Sequence, residues 1–192
     1  MTDRFSAIAK PKTVAIIGAG VVGLGIAWRL AARGVSVSVF DRGAAGQGAT
    51  HAAAGMLAAC AEAEPGEEAL VALGRDSQAR WPAFAAELQQ ASGIDVELRR
   101  EGTLVIALTA DDQARLAHHL AFQQKLELPL DWISAAECRR REPHLAGKLA
   151  GAIWSPQDHQ VDNRKLAQAL KIAALKAGAS LNEHQSVAEI SS

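Results

Sequence analysis

The chain has 192 residues, a formal net charge of -1 and a pI of about 6.6, so it lacks the basic excess that nucleic-acid binding requires. Hydrophobic residues make up 49% and charged residues 21%, which is typical of a folded globular protein and excludes a disordered chain. The two cysteines form no CxxC pair, no apolar run is long enough for a membrane span, and residues 1–12 contain no apolar signal core, which together predict a cytoplasmic protein.

The first elements in chain order predict a strand–turn–helix–strand unit. Residues 13–17 (TVAII) form a short, β-branched apolar run that is typical of a buried parallel strand. A glycine cluster at residues 18–23 follows, and then an apolar helix to about residue 33 that closes at Gly34. Residues 35–40 (VSVSVF) predict the second strand. This order within about 30 residues is the βαβ unit of dinucleotide-binding proteins.

The glycine cluster GAGVVG matches the motif G-x-G-x-x-G in that context. Gly18 permits the tight turn out of the strand, Gly20 lets a pyrophosphate approach the backbone, and Gly23 lets the helix pack close to the sheet. Asp41 ends the second strand, where a carboxylate accepts hydrogen bonds from ribose hydroxyls and repels the 2′-phosphate of NADP. The motif therefore predicts a bound dinucleotide, and the alternative of a tight turn that binds nothing is disfavoured by Asp41.

The remainder of the chain predicts alternating helices and strands. Residues 43–59 are rich in Gly and Ala, which suits either a backbone lying against a large planar ring or a tightly packed helix start, and the pattern leaves both open. The other predicted helices are 64–90 (broken or kinked near Pro82), 111–125, 134–141 and 162–177, the last N-capped by Asp162 and closed by Gly178. The other predicted strands are 102–109, 152–154, 180–183 and 186–190.

Several side chains that could bind a metal or take part in catalysis are assigned neither role from the sequence. His118 and His119 lie on a charged predicted helix without partners at metal-ligand spacing, so they are expected to face solvent and no metal site is predicted. Asp158 and His159 are interpreted as part of a loop that precedes a helix. Nothing in the sequence near Cys60 indicates an activated thiolate.

Five segments together identify a family resemblance. They are the glycine motif, the pair Asp41-Arg42, residues 49–57 (ATHAAAGML), Glu142-Pro143 ahead of Gly151-Ala152, and residues 158–162 (DHQVD) before a helix. In these segments the sequence resembles the D-amino-acid-oxidase-like family of FAD-dependent oxidoreductases, in particular its glycine-oxidising members from thiamine biosynthesis. The resemblance covers nearly the whole chain but only about the first half of a typical family member, so the chain is interpreted as an N-terminal part.

The resemblance implies an α/β fold. It consists of an FAD/NAD(P)-binding Rossmann-like domain, with a parallel sheet and a βαβ unit, plus part of a mixed α+β substrate domain. Residues 1–75 and 150–192 are expected to form a discontinuous, incomplete FAD-binding domain. Residues 76–149 are expected to contribute to the substrate-side domain.

The resemblance also implies a set of cofactor-binding residues. His51 departs from the family pattern, which often has a small or hydroxyl residue there. The family's substrate-binding arginine comes from the C-terminal half, so no catalytic residue is predicted here. The implied residues are Gly18, Gly20, Val21, Val22 and Gly23 at the pyrophosphate, Asp41 and Arg42 at the adenosine ribose, Ala49 and Thr50 at the phosphates or ribityl chain, Ala54, Gly55 and Met56 at the flavin ring, and Val187 at the adenine.

The implied activity is the FAD-dependent oxidation of a small amino acid or amine. For glycine, the amino acid, O2 and water would give glyoxylate, ammonia and hydrogen peroxide. The expected partners are that substrate and O2, with no nucleic acid, and the full-length protein is expected to be a homo-oligomer. Alternatives are a D-amino-acid dehydrogenase that reduces a quinone, an N-methyl amino-acid oxidase, or a non-catalytic dinucleotide-binding module. The 192-residue chain by itself is expected to bind FAD weakly and to be inactive.

Overall fold

A computed structural model describes residues 13–145 and 147–191 of the protein. The prediction that no signal segment is present concerns residues 1–12, which lie outside the described residues. The chain forms two compact units. Within the described residues, the first comprises 13–54, 85–96 and 162–191, and the second comprises 55–84, 97–145 and 147–161.

Strands and helices alternate along the described residues. The strands are β1 (Thr13–Ile17), β2 (Ser36–Phe40), β3 (Met56–Leu57), β4 (Thr103–Ala107), β5 (Asp131–Ser134), β6 (Gly151–Ser155), β7 (His159–Gln160) and β8 (Ser180–Asn182). The helices are α1 (Val21–Ala31), α2 (Ala49–Ala52), α3 (Glu68–Ser92), α4 (Ala110–Lys125), α5 (Ala135–Arg141) and α6 (Asn163–Lys176).

The first unit contains a three-stranded parallel sheet in the order β1-β2-β8. The connection β1–α1–β2 is the predicted βαβ unit, which is therefore confirmed. Gly34 adopts a φ of 79° just after α1, and its N–H donates to the carbonyl of Ala31 at 2.9 Å, so it closes the helix as expected. Helices α1 and α6 pack together, and both bury small side chains, among them Ala27 on α1 and Ala173 on α6. Small residues let the two backbones approach closely.

Helix α6 begins where the sequence predicts. The side chain of Asp162 accepts hydrogen bonds from the backbone N–H groups of Arg164 and Lys165, both at 2.9 Å, and so caps two otherwise unpaired donors. These backbone bonds outweigh desolvation and lower the pKa of the Asp162 carboxyl. The helix ends at Lys176, just before Gly178, which has a φ of 97°.

The second unit contains an antiparallel three-stranded sheet in the order β4-β6-β5 and a two-stranded antiparallel ribbon of β3 and β7. The core of this unit is built mainly from α4 and the sheet, with Leu116, Leu120 and Ile153 almost fully buried. Strand β5 was not predicted, because four residues with two apolar side chains give too short a pattern for recognition. The two-residue strands β3 and β7 were missed for the same reason.

Two sequence predictions about the elements differ from the structure. Of the break or kink predicted near Pro82, the break is wrong, because helix α3 continues through Pro82 for 25 residues, although proline removes one intrahelical hydrogen bond. Residues 186–190 form no strand: His184 adopts a φ of 58°, which turns the chain away from the sheet, and these five residues are exposed. Among the described residues, no helix is long and apolar enough to cross a bilayer.

Candidate dinucleotide-binding site

The glycines of the motif are fixed by close backbone packing in the first unit. Gly18 directly follows β1 with a φ of 104°, and its N–H donates to the carbonyl of Phe40 on β2 at 2.8 Å. A Cβ on Gly23 would lie 1.9 Å from the carbonyl oxygen of Gly18 and 3.3 Å from a side-chain carbon of Ile16. Only glycine fits at residue 23, which brings α1 close to β1 as the motif requires.

The N-terminus of α1 is suited to an anion. Its N-cap is Gly20, which has no side chain to cap the helix, and its first turn holds no acidic residue. Val22 in this turn is 71% exposed. The N–H of Val21 donates to the hydroxyl oxygen of Thr50 at 3.0 Å, and a Cβ on Gly20 would lie 3.2 Å from that same oxygen. Backbone N–H groups and the helix dipole there favour a phosphate, so the turn fits the pyrophosphate of a dinucleotide.

Asp41 lies beside this turn, where β2 ends. Its two carboxylate oxygens accept hydrogen bonds from the N–H groups of Ala19 at 2.7 Å and Gly43 at 2.8 Å. These two backbone bonds, Gly43 first, lower the pKa of the Asp41 carboxyl, so it is ionised at neutral pH. Each carboxylate oxygen of Asp41 has further lone pairs available for ribose hydroxyls. The neighbouring Arg42, also implied at the ribose, is exposed.

The chain after β8 packs against the same loop. The N–H of Gln185 donates to the carbonyl of Asp41 at 2.8 Å, and that of His184 donates to the carbonyl of Gly43 at 3.2 Å. Val187 follows two residues later and is 39% exposed. The structure therefore brings the glycine motif, Asp41, Thr50 and the segment that leads to Val187 together in one unit.

The residues implied at the flavin ring are divided between the two units. Ala54 is the exposed last residue of the first unit's opening segment, whereas Gly55 and Met56 belong to the second unit. Gly55 adopts a φ of 77°, and its carbonyl accepts the N–H of Val161 at 2.9 Å. Met56 pairs with Gln160 across the β3–β7 ribbon and is 46% exposed. It also lines a cavity of about 440 Å³ whose other walls include β4 and α4.

A buried polar network holds the segment that follows β3. Asp158 is fully buried, and its carboxylate accepts the N–H groups of Cys60 at 3.0 Å and Ala61 at 2.8 Å. The amide of Gln123, also fully buried, donates to the carbonyls of the same two residues at 3.2 and 3.0 Å. Gln78 donates to both Asp158 and the carbonyl of Leu57, each at 3.0 Å. We call Asp158, Gln78 and Gln123 the 57–61 clamp.

Asp158 lies in a loop, between β6 and β7, but unlike a surface loop residue it is fully buried and belongs to the clamp. Sequence reasoning missed it because its three members come from separate elements and share no motif. Burial, with a further contribution from the Asp158 charge, raises the pKa of the Cys60 thiol to about 11. The thiol is thus protonated at neutral pH, which agrees with the absence of any sequence signal for an activated thiolate.

The histidine pair divides between two environments. His118 is exposed as expected, but the expectation for His119 is wrong: its Nε2 donates to the carbonyl of Ala63 at 2.9 Å and its side chain is 21% exposed. The sequence around His119 did not reveal this partner, because Ala63 lies 56 residues earlier in the chain. Within residues 13–145 and 147–191, no cluster of three or more His, Cys, Asp or Glu side chains is placed to hold a metal ion.

Comparisons with known proteins agree with this geometry. The family model for FAD dependent oxidoreductases (DAO) matches residues 13–192. Glycine oxidase from Geobacillus kaustophilus is 41% identical over 193 residues, which is 100% of this chain and 49% of that protein. The bifunctional protein ThiO/ThiG from Trichormus variabilis is 34% identical over 172 residues, covering 90% of this chain and 26% of that protein.

A solved structure shares the fold as well. The crystal structure of glycine oxidase from Bacillus cereus superposes with a TM-score of 0.84 at 31% identity and covers 95% of this chain and 50% of that one. The chain therefore spans about half the length of the glycine oxidases that it matches.

Proposed function

The chain belongs to the family of FAD-dependent oxidoreductases, and from this premise we propose that it supplies the FAD-binding part of an enzyme that oxidises a small amino acid or amine. FAD is the cofactor of this family. Glycine is the proposed substrate, O2 the proposed electron acceptor and thiamine biosynthesis the proposed process. The similarity to glycine oxidases and to a ThiO/ThiG protein supports these three points.

The observation that carries the proposal is the pairing of an anion-binding helix end with an ionised carboxylate in one unit. Gly20 and Val21 begin α1 beside Thr50, and Asp41 is held by the backbone N–H groups of Ala19 and Gly43. A pyrophosphate needs backbone N–H donors, and a ribose needs an anionic acceptor. Both are present in the first unit, where the Asp41 carboxylate accepts the N–H of Ala19 in the glycine motif.

We extend the assignment to the whole set of residues expected from the sequence. Residues 1–75 and 150–192 are proposed as the FAD-binding domain and 76–149 as part of the substrate side. Met56 is half-exposed and lines a cavity of about 440 Å³ within the second unit, which supports its proposed contact with a bound ligand. The proposed contacts are Gly18, Gly20, Val21, Val22, Gly23, Asp41, Arg42, Ala49, Thr50, Ala54, Gly55, Met56 and Val187.

The role of the chain's own residues is to bind and orient. A bound FAD would supply the hydride-accepting chemistry that the oxidation requires. The first-turn N–H groups of α1 other than that of Val21, which donates to Thr50, would donate to the phosphates, and Asp41 would accept hydrogen bonds from the ribose of the adenosine. The 57–61 clamp holds the segment that follows Met56. No residue of this chain is proposed as a catalytic residue.

The first test is the visible absorption spectrum of the purified protein, with the cofactor identified after denaturation. A yellow protein that releases FAD is the expected result, and D41N is expected to retain less of it because an amide is a weaker ribose acceptor. A matched control is D111N, which changes an exposed acid on α4 in the second unit. A protein that holds no FAD and binds none when it is added would contradict the proposal.

The second test separates the candidate reactions. Hydrogen peroxide production is measured with glycine, sarcosine and D-alanine, both for this chain and for any longer gene product that contains it. Turnover with glycine and O2 supports the proposal. Peroxide formed mainly from sarcosine favours the N-methyl amino-acid oxidase, whereas oxidation of D-alanine that requires a quinone favours the dehydrogenase. The 192-residue chain alone is expected to be inactive, and peroxide from it would contradict that expectation.

A further inference from the structure

One face of helix α6 holds three successive parts of the loop that follows β2, two by direct contact and one through Glu183. Asn163, Ala167 and Lys171 are spaced four residues apart, so they lie along one side of the helix. The segment opposite this face is residues 43–51, which joins Asp41 to Thr50 and which we call the cofactor loop. All of these residues belong to the first unit.

Asn163 caps the short helix at the end of the cofactor loop. Its side-chain amide donates to the carbonyl oxygens of Thr50 and His51 in α2. Carbonyls in the last turn of a helix have no intrahelical partner, so this amide satisfies two groups that would otherwise need water. The bond fixes the backbone of Thr50, whose hydroxyl accepts the N–H of Val21 at the start of α1.

Ala167 sets how close the middle of the loop approaches α6. Gly46 adopts a φ of 75°, and a Cβ placed on it would lie 2.7 Å from the Cβ of Ala167. The N–H of Gly46 donates to the carbonyl of Ala19, inside the glycine motif, at 2.8 Å. A small residue at position 167 therefore allows the loop to bond directly to the phosphate-binding turn.

Lys171 acts on the first part of the loop through Glu183. The Lys171 ammonium lies 2.9 Å from both carboxylate oxygens of Glu183, and this carboxylate accepts the N–H of Ala45 at 2.7 Å. The Ala45 bond and then Lys171 lower the pKa of the Glu183 carboxyl, so the group stays ionised and keeps this bridge at neutral pH. The lysine thus anchors Ala45 without touching the loop itself.

We propose that Asn163, Ala167 and Lys171 are positioning residues that hold the cofactor loop in its binding conformation before FAD arrives. The inference rests on the FAD-binding part of the proposed function. A loop ordered in advance loses less conformational entropy on binding, so the face of α6 raises the affinity for FAD without contacting it.

The test combines hydrogen exchange of the cofactor-loop amides with FAD titration of the same protein samples. N163A and K171M are compared with Q168A, an exposed change on another face of the same helix. Faster exchange is expected at Ala45 in K171M and across α2 in N163A. The dissociation constant for FAD is expected to rise about five- to tenfold in each, the effect of one lost hydrogen bond. K171R, which keeps the ion pair, is expected to restore both values.

Each outcome decides the inference. Unchanged exchange in N163A and K171M overturns it, as does faster exchange with an unchanged FAD affinity. If K171M fails to fold, K171Q replaces it. A wild-type protein that binds no FAD overturns both the inference and the proposed cofactor. A wild type that binds FAD, with weaker binding in the two variants but no amino-acid-dependent peroxide from any longer gene product, supports the inference and contradicts only the proposed reaction.

Discussion

The hydroxyl oxygen of Thr50 lies 3.0 Å from the amide nitrogen of Val21, although 29 residues separate them in the chain. This bond joins the end of the cofactor loop to the first residue of α1. It is the direct link between the glycine motif, which a sequence pattern reveals, and a segment whose composition alone allows two interpretations.

Replacing Thr50 tests this link. T50V keeps the shape of the side chain but removes the acceptor, so the N–H of Val21 loses its partner. We expect the free energy of unfolding to fall by about 1 kcal/mol, measured by urea denaturation, whereas T50S should remain near wild type. Equal stability of T50V and the wild type would show that the bond contributes nothing.

Two glycines of α1 offer a matched pair. G23A places a Cβ 1.9 Å from the carbonyl oxygen of Gly18, and we expect a loss of about 3 kcal/mol because backbone must move. G25A meets no atom within 4 Å and should gain about 0.5–1 kcal/mol, since alanine favours the helix. Thermal or urea unfolding of both variants measures the difference. Similar stabilities would mean that α1 does not pack on β1 as closely as described.

The lowered pKa of Asp41 predicts a specific acid sensitivity. Because the folded-state pKa is below the unfolded one, the stability contributed by this carboxylate is complete above about pH 4 and is lost as the pH falls through the folded-state pKa. Below about pH 4 the wild type should therefore lose stability more steeply than D41N. Urea unfolding at a series of pH values measures both slopes, with D111N as the exposed control. Parallel curves for D41N and the wild type would rule out a folded-state bond at Asp41.

The 57–61 clamp predicts protection of a cysteine. In a C138S background, Cys60 is the remaining thiol, and it should resist alkylation at pH 8 because its pKa is about 11 and it is fully buried. D158N replaces one acceptor oxygen with a donor and leaves buried N–H groups unpaired, at a cost of about 2–3 kcal/mol. The loop should open and Cys60 should react.

D112A is the control that separates loss of the clamp from a general loss of stability. This change removes the capping box of α4, which costs about 1 kcal/mol, and lies in the same unit without a bond to residues 57–61. Alkylation of Cys60 should remain slow in D112A and become fast in D158N. Equal rates in the two variants would remove the specific role of the clamp.

Local patterns in the sequence determined the βαβ unit and its motif. The run at residues 13–17, the three glycines and Asp41 each have a physical requirement that acts over a few neighbouring residues, and the structure meets those requirements. The N-cap at Asp162 was predictable for the same reason, because its partners are two and three residues away.

Other features depended on contacts that no local pattern encodes. From the sequence, Asp158 is interpreted as part of a loop before a helix. Its side chain is nevertheless fully buried and accepts backbone N–H groups that lie 97 and 98 residues earlier. The predicted strand at 186–190 has suitable residues but no partner strand in the described part of the chain, because the backbone turns at His184. A β-strand forms only where its backbone N–H and C=O groups pair with a neighbouring strand, so suitable residues alone are not sufficient.

The sequence by itself thus determined the tight turn between β1 and α1, since residue 18 has a φ of 104° and a Cβ at residue 23 would lie 1.9 Å from the carbonyl oxygen of Gly18. Only the tertiary structure decided what holds that turn in place. Asn163 bonds directly to the cofactor loop, and Lys171 acts on it through Glu183, from a helix more than 100 residues further along the chain. Such contacts arise from packing between elements rather than from the periodicity of either element.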